Sequence, residues 1–161
     1  MNHYNKSMNN SLKNRRVAIS MSLAFMVICL ILELLPNSII MGFSVVSETG
    51  EIGKTYVGYN FFSLTPIGYA YFTPLLSAVI TIAMVGIMIF REVKPYKLMT
   101  LSTVLAFVGG LISILTPLIQ ADSKAVTPSS IFVASLMFMT FIINLFDSLL
   151  RNKELKERYG Q

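Results

Sequence analysis

Residues 17–35 read VAISMSLAFMVICLILELL, a run in which Glu33 is the one charged side chain. Crossing the ~30 Å hydrocarbon layer of a bilayer takes about 20 mainly apolar residues in an α-helix. Three further apolar segments of suitable length follow at 66–90, 98–118 and 128–150. The sequence therefore predicts an all-α membrane protein whose four transmembrane helices form an antiparallel bundle.

The composition argues against a soluble domain and against a nucleic-acid-binding protein. Hydrophobic residues make up 54% of the 161 residues and charged residues only 13%, whereas soluble domains have about 25% charged residues. The net charge is +5, but the basic residues flank apolar runs instead of alternating with aromatic residues on a solvated face. We expect the lipid bilayer to surround the chain and no nucleic acid to bind it.

The basic residues predict which ends of the helices face the cytoplasm. Of the 13 Lys and Arg residues, 11 lie before the first predicted helix, between the second and third, or after the fourth; Lys54 and Lys124 are the exceptions. Short loops rich in Lys and Arg stay on the cytoplasmic side. We therefore expect a multi-pass plasma-membrane protein with both termini cytoplasmic. Its predicted parts are a basic N-terminal segment at 1–16, a transmembrane domain at 17–150 and a tail at 151–161.

The first apolar run has a second interpretation, as a cleaved signal peptide, because it follows a basic segment. This alternative is disfavoured, since the run is long for a signal and no clear Ala-x-Ala site follows it. Its removal would also place the new N-terminus outside.

The connection at 36–65 is long enough to have its own structure. Its runs at 38–46 and 54–63 are rich in Ile, Val, Tyr and Phe, and the residues at 47–53 have turn composition. We predict an extracellular β-hairpin between the first two helices. Its aromatic rings either lie among lipid headgroups, where such rings are enriched, or contact a protein or amphiphile. The candidate contact residues are Tyr56, Tyr59, Phe61 and Phe62.

Thr-Pro pairs stand where two of the predicted helices begin, at Thr65-Pro66 and Thr127-Pro128. A Thr side chain can accept a bond from the free amides of the first turn, and Pro fits the first helical position. Both pairs are predicted helix starts.

Glu33 is the candidate binding residue inside the membrane. An ionised carboxylate costs roughly 2.5–3.5 kcal/mol at the centre of a membrane helix, so it normally faces a partner or water. At about 1.5 Å per residue, Glu33 lies roughly 24 Å from the inner end of its helix. It either accepts bonds from Tyr69, Tyr71 and Thr73 and carries a titratable proton, because hydrocarbon disfavours its charged form, or reaches the outer water.

Two further patterns predict helix packing. Polar side chains spaced by four, three and four residues mark the fourth helix, where Asp147 can pair with the residue one turn later. They are Thr140, Asn144, Asp147 and Arg151. Small side chains spaced by four residues mark the third helix, either inside the bundle or between subunits. They are Ser102, Ala106 and Gly110.

The sequence contains no catalytic motif, metal-ligand cluster or phosphate-binding loop. His3 has no companion ligand, and Cys29 cannot form an intramolecular disulfide because it is the single cysteine. Glu33 and Asp147 are predicted near opposite faces of the membrane, so they do not form an acid/base pair. We expect no enzymatic activity and no cofactor or metal.

Three resemblances bear on this chain. Four helices with a β-structured first outer loop resemble the claudin topology, but that family's Trp and paired Cys are absent. A carboxylate in the first of four helices is similar to the small multidrug-resistance transporters, whose Glu exchanges protons, although their loops are short. Residues 60–70, NFFSLTPIGYA, resemble a segment of small uncharacterised four-helix membrane proteins from low-GC Gram-positive bacteria. The last resemblance implies a bacterial plasma membrane and no particular activity.

These patterns favour a non-enzymatic membrane protein that binds a partner or assembles as a subunit through its outer hairpin. The partner would be another membrane protein or a second copy of the chain. The alternative is a small proton-coupled carrier or amphiphile-binding protein that uses Glu33, with Tyr69 and Tyr71 lining its site.

Overall fold

The computed structural model describes residues 2–63, 72–90, 95–119 and 126–159. Its elements in chain order are α1 (Asn2–Leu34), β1 (Ile39–Val46), β2 (Ile52–Tyr59), α2 (Thr73–Phe90), α3 (Pro95–Ile119) and α4 (Pro128–Tyr159). Each helix contains a stretch long and apolar enough to cross a membrane. The predicted combination of four such helices with a β-hairpin is confirmed.

The helices form a ring in which each packs against its two neighbours, in the order α1, α2, α3, α4 and back to α1. Neighbouring helices run in opposite directions: Ser22 of α1 bonds Asn144 of α4, whereas Cys29, further along α1, bonds Val133. The ends of the helices next to the hairpin are called the hairpin end below.

Methionines dominate the interior of the ring, with Met26, Met84, Met88 and Met137 fully buried. Unbranched, flexible Met side chains fill irregular space between helices. The outer surface of each helix instead exposes large apolar side chains, which a soluble bundle would replace by polar ones. Examples are Ile31, Val79, Val104 and Phe132.

Helix boundaries differ from the prediction at several points. α1 extends back to Asn2, so the basic N-terminal segment continues the helix, and α4 extends through the tail to Tyr159. α2 begins at Thr73, not at residue 66, and Pro74 lies in its first turn, where a missing amide costs no helical bond. Residues 64–71, with the predicted helix start at 65–66, lie outside the described residues.

The predicted start of the fourth helix is confirmed. The Thr127 Oγ1 accepts a bond from the Ser130 amide at 3.2 Å, and the Ser130 Oγ accepts one from the Thr127 amide at 3.3 Å. This reciprocal cap satisfies two amides at the helix start.

The hairpin is antiparallel and pairs Ile39 with Tyr59 at its root and Val46 with Ile52 at its tip. The Ser47 amide donates to the Glu51 carbonyl at 2.8 Å, and Gly50 adopts φ 82°, a conformation that glycine tolerates. The second strand thus begins at Ile52, two residues before its predicted start.

Candidate functional site

The carboxyl group of Glu33 lies in the last turn of α1 and is fully buried. Its Oε1 accepts hydrogen bonds from the Ser77 Oγ at 3.1 Å and from the Thr81 Oγ1 at 3.0 Å. Residues four apart on a helix lie on one face, so α2 presents both hydroxyls to the same oxygen. Glu33 thereby joins α1 to α2 near the hairpin end.

A third helix completes this group of side chains. The Ser113 Oγ of α3 lies 2.9 Å from the Ser77 Oγ. We call the four side chains, Glu33, Ser77, Thr81 and Ser113, the Glu33 cluster. All four are buried.

The membrane stretches of α2 and α3, which supply the hydroxyl groups around Glu33, offer no counterion to its charge. Among the described residues its Oε2 is buried and has no hydrogen-bond partner. Neither α2 at 73–90 nor α3 at 98–115 contains an Asp, Glu, Lys, Arg or His. An ionised Glu33 therefore depends on hydroxyl dipoles alone, an arrangement that is costly in hydrocarbon.

The root of the hairpin covers the Glu33 cluster. The Phe61 amide donates to the Glu33 carbonyl oxygen at 3.1 Å, and the Ser38 Oγ donates to the same oxygen at 3.4 Å. The Phe61 ring is fully buried against Ile39 and Ala78. Because both strands attach at this point, the hairpin is fixed to the end of α1.

Two local features position these contacts. A turn between Asn60 and Ser63, in which the Ser63 Oγ donates to the Asn60 Oδ1 at 2.8 Å, directs the chain inward after β2. The Thr127 Oγ1 donates to the Ser38 carbonyl, which ties the start of β1 to the start of α4.

The structure changes the sequence-based description of the Glu33 site. The alternative in which Glu33 reaches outer water is wrong, because the hairpin root and three helices enclose the side chain. Its donors are Ser77 and Thr81; of the expected donors, Thr73 is not among its partners, and Tyr69 and Tyr71 lie outside the described residues. Sequence spacing singles out Glu33 but gives no sign of which face of α2 meets it.

The predicted contact surface of the hairpin is partly internal. Phe61 is wholly buried, so its expected role as an exposed contact residue is wrong. Tyr59 and Phe62 pack against the apolar group formed by Phe61, Ile39 and Ala78. The Tyr59 ring also lies edge-on to the Phe43 ring, with the ring centroids 6.3 Å apart. Tyr56 is half-buried. The exposed apolar side chains lie at the tip instead, where Val46 is 67% and Ile52 78% exposed.

The predicted polar stripe of α4 lies toward the opposite end of the bundle. Thr140 and Asn144 are buried, and the Asn144 Oδ1 accepts a bond from the Ser22 Oγ of α1 at 3.4 Å. Asp147 and Arg151 are half-buried.

The predicted small-residue face of α3 lies inside the bundle. Ser102 and Ala106 are buried, and a Cβ on Gly110 would stand 3.1 Å from the Phe138 ring of α4. Of the two locations left open by the sequence, the structure gives the one within the chain.

An apolar layer separates the two polar regions. Ser22 and Glu33 are eleven residues apart on α1, roughly 16 Å along the helix, and Met26 and Cys29 occupy the buried positions between them with Met84 and Met137 alongside. No buried polar side chain of α1 bridges this interval in the part of the chain that the structure describes.

The search for known relatives found no protein-family model, curated protein or solved structure that matches the chain. Within the described ranges, no three His, Cys, Asp or Glu side chains come together as metal ligands. The chain's own residues are therefore the basis for assigning its function.

Proposed function

We propose that the protein is a small, non-enzymatic, proton-coupled membrane carrier in which Glu33 binds and releases the proton. One observation carries this proposal: Glu33 is fully buried with one carboxyl oxygen unpartnered among the described residues. Ionisable residues inside membranes are costly and typically mark ion or substrate pathways.

A purely structural role for Glu33 explains its chemistry less well. If the side chain only joined α1 to α2, a Gln carbonyl would accept the same bonds from Ser77 and Thr81 without a buried charge. A carboxyl group, by contrast, can gain and lose a proton at this position. The acidic group supports a role in which the protonation state changes.

The proposed orientation places the Glu33 cluster near the outer face, because the basic residues lie mainly at the other end. Passage of an ion toward the cytoplasm then requires the apolar layer to rearrange. The Met side chains of that layer have several rotamers of similar energy, which supports such a rearrangement.

The proposal is tested by infrared difference spectroscopy of the purified protein in lipid nanodiscs, titrated in sodium-free choline buffer. Wild type is expected to show the carbonyl stretch of a protonated carboxyl group, and Glu33→Gln should lose it. Asp147→Asn, which alters an acid at the other end of the bundle, should retain the band. An identical titration of wild type and Glu33→Gln, with both folded by circular dichroism, overturns the proposal.

A second candidate function is partner binding at the hairpin tip, which would make the protein an assembly subunit. Val45, Val46 and Ile52 are exposed there, beyond the docked root of the hairpin. Contiguous exposed apolar residues commonly mark interaction sites. The partner would be a membrane protein or a second copy of the chain.

A photoreactive residue at Ile52 tests this second function in native membranes, followed by mass spectrometry of the adducts. A specific protein adduct is expected, and its mass distinguishes a second copy from another partner. The matched control is the same residue at Ile31, an exposed position on α1 that should yield lipid adducts. Lipid adducts at both positions would exclude partner binding by the tip.

A further inference from the structure

The Glu33 cluster offers more oxygen atoms than a proton requires. Beside the two carboxyl oxygens stand the hydroxyl oxygens of Ser77, Thr81 and Ser113, contributed by two other helices. We propose that the cluster binds a monovalent alkali cation, tested below as Na⁺, in competition with the proton on Glu33. This inference rests on the proposed function and names the second ion of that site.

Each hydroxyl of the cluster has at least two acceptors within hydrogen-bonding distance. Thr81 can donate to the Glu33 Oε1 at 3.0 Å or to the Ser77 carbonyl at 3.1 Å. Ser113 can donate to the Ser77 Oγ at 2.9 Å or to the Gly109 carbonyl at 2.9 Å. Ser77 can donate to the Glu33 Oε1 at 3.1 Å or to the Ser113 Oγ.

A hydroxyl carries one proton and two acceptor lone pairs. In the hydrogen-bonded arrangement of the structure, Ser113 can donate to the Ser77 Oγ and Ser77 to the Glu33 carboxylate, while Thr81 donates to the carboxylate directly. When a cation enters, Thr81 and Ser113 can turn their protons to backbone carbonyls. Ser77 can then donate to Ser113, so every hydroxyl keeps a hydrogen bond while its oxygen faces the cation.

The donor set and its charge select the class of cation. All the ligating atoms are hard oxygens of carboxylate and hydroxyl type, which suit alkali and alkaline-earth ions. The single carboxylate neutralises one positive charge, whereas a divalent ion would leave a net charge in an apolar setting. A monovalent ion therefore fits best.

The other charged side chains of the described residues lie away from the cluster. Those of α4 begin at Asp147, beyond the Asn144 that bonds Ser22 toward the other end of the bundle. The described stretches of α2 and α3 beside the cluster carry no charge, and Cys29 is the nearest titratable group on α1, one turn away. The charged residues of the hairpin, Glu48, Glu51 and Lys54, are exposed at its tip and not at its root.

The first test measures binding of radioactive sodium to the purified protein in nanodiscs. Wild type should bind it saturably, while Glu33→Gln and Thr81→Val should bind at least about tenfold more weakly, as is typical when a ligand or its support is lost. Thr140→Val is the matched control, because Thr140 is an equally buried threonine outside the cluster. It should bind sodium like wild type.

The second test adds Na⁺ to the protein under the infrared titration described above. Sodium should remove the band of protonated Glu33, and choline at equal ionic strength should not. If that band is present but insensitive to sodium, and wild type binds no sodium, the inference falls while the proton function stands. If sodium binds but no Glu33 band appears, a sodium site is present, but proton exchange and the proposed competition between the two ions both fall. If neither is observed, both fail.

Discussion

Asn37 ends the turn that leads from α1 into the hairpin, and it does so with a φ of 59°. For a residue with a Cβ, this left-handed backbone conformation costs roughly 1–2 kcal/mol, and Asn tolerates it better than most residues. We expect Asn37→Ala to lower the free energy of unfolding by about 1 kcal/mol. Asn37→Gly should lower it by less, because glycine adopts a positive φ without a steric cost. Both variants remove the same side-chain amide. The difference between their free energies of unfolding, measured by reversible unfolding in mixed micelles, therefore reports the cost of the backbone conformation. Equal losses would assign the effect to the side chain.

Glu33 presents the opposite case, a residue whose replacement should not harm the fold. In Glu33→Gln the amide oxygen can still accept the bonds from Ser77 and Thr81, and no charge is buried. We expect an unfolding free energy equal to or above that of wild type, as is common when a functional group is removed from a costly position. A loss of more than about 2 kcal/mol would instead indicate a paired, structural carboxylate.

At the scale of single residues, the sequence identifies the acid of the site but not the hydroxyl side chains around it. Glu33 is evident because a lone acid interrupts an apolar run. Ser77, Thr81 and Ser113 are not, because Ser and Thr are common in membrane helices and only the rotation of α2 and α3 about their axes brings them to Glu33. That rotation is determined by packing between helices, which one sequence does not specify.

At the scale of the elements, α3 and α4 owe their close approach to glycine. A Cβ on Gly109 would lie 2.7 Å from the Met137 Sδ and 3.0 Å from the Ile80 Cγ2. We expect Gly109→Ala to destabilise the bundle by about 1 kcal/mol through overpacking, because the flexible Met137 side chain can shift whereas the β-branched Ile80 is stiffer.

Gly86 of α2 is the matched control, since nothing lies within 4 Å of its added Cβ. Gly86→Ala should gain roughly 0.5–1 kcal/mol from helix propensity. The two substitutions should therefore change the free energy of unfolding in opposite directions in the same assay. Equal effects at the two glycines would show that α3 and α4 adjust without cost.

The hairpin shows why composition locates strands better than it locates their ends. Residues 52 and 53 have turn composition beside Gly50, yet Ile52 and Gly53 pair with Val46 and Val45. The Ser47 Oγ accepts a bond from the Glu51 amide at 3.1 Å and closes the turn early. The starts of the helices show the same difference. The start of α4 is predictable from the local capping chemistry of Thr127, whereas the start of α2 at Thr73 is not predictable from the sequence.

For the whole molecule, the distribution of charge and polarity gives one consistent arrangement. The Glu33 cluster lies under the hairpin, the Ser22–Asn144 contact lies toward the other end, and the methionine-rich layer separates them. A buried site that is covered at one face and separated from the other face by an apolar layer is the closed resting state expected of the proposed carrier. We interpret the hairpin root as the cover of that side.

The orientation of the molecule in the membrane decides which side the hairpin end faces. Labelling of introduced cysteines measures this orientation. In intact cells, Glu48→Cys at the hairpin tip should react with a membrane-impermeant maleimide, because the placement of the basic residues predicts a cytoplasmic location for the other end. Asn10→Cys and Gln161→Cys should react only after permeabilisation. The native Cys29 is buried and should stay unlabelled in all three variants. Labelling of the two termini in intact cells would place Glu33 near the cytoplasm and reverse the direction proposed for ion entry.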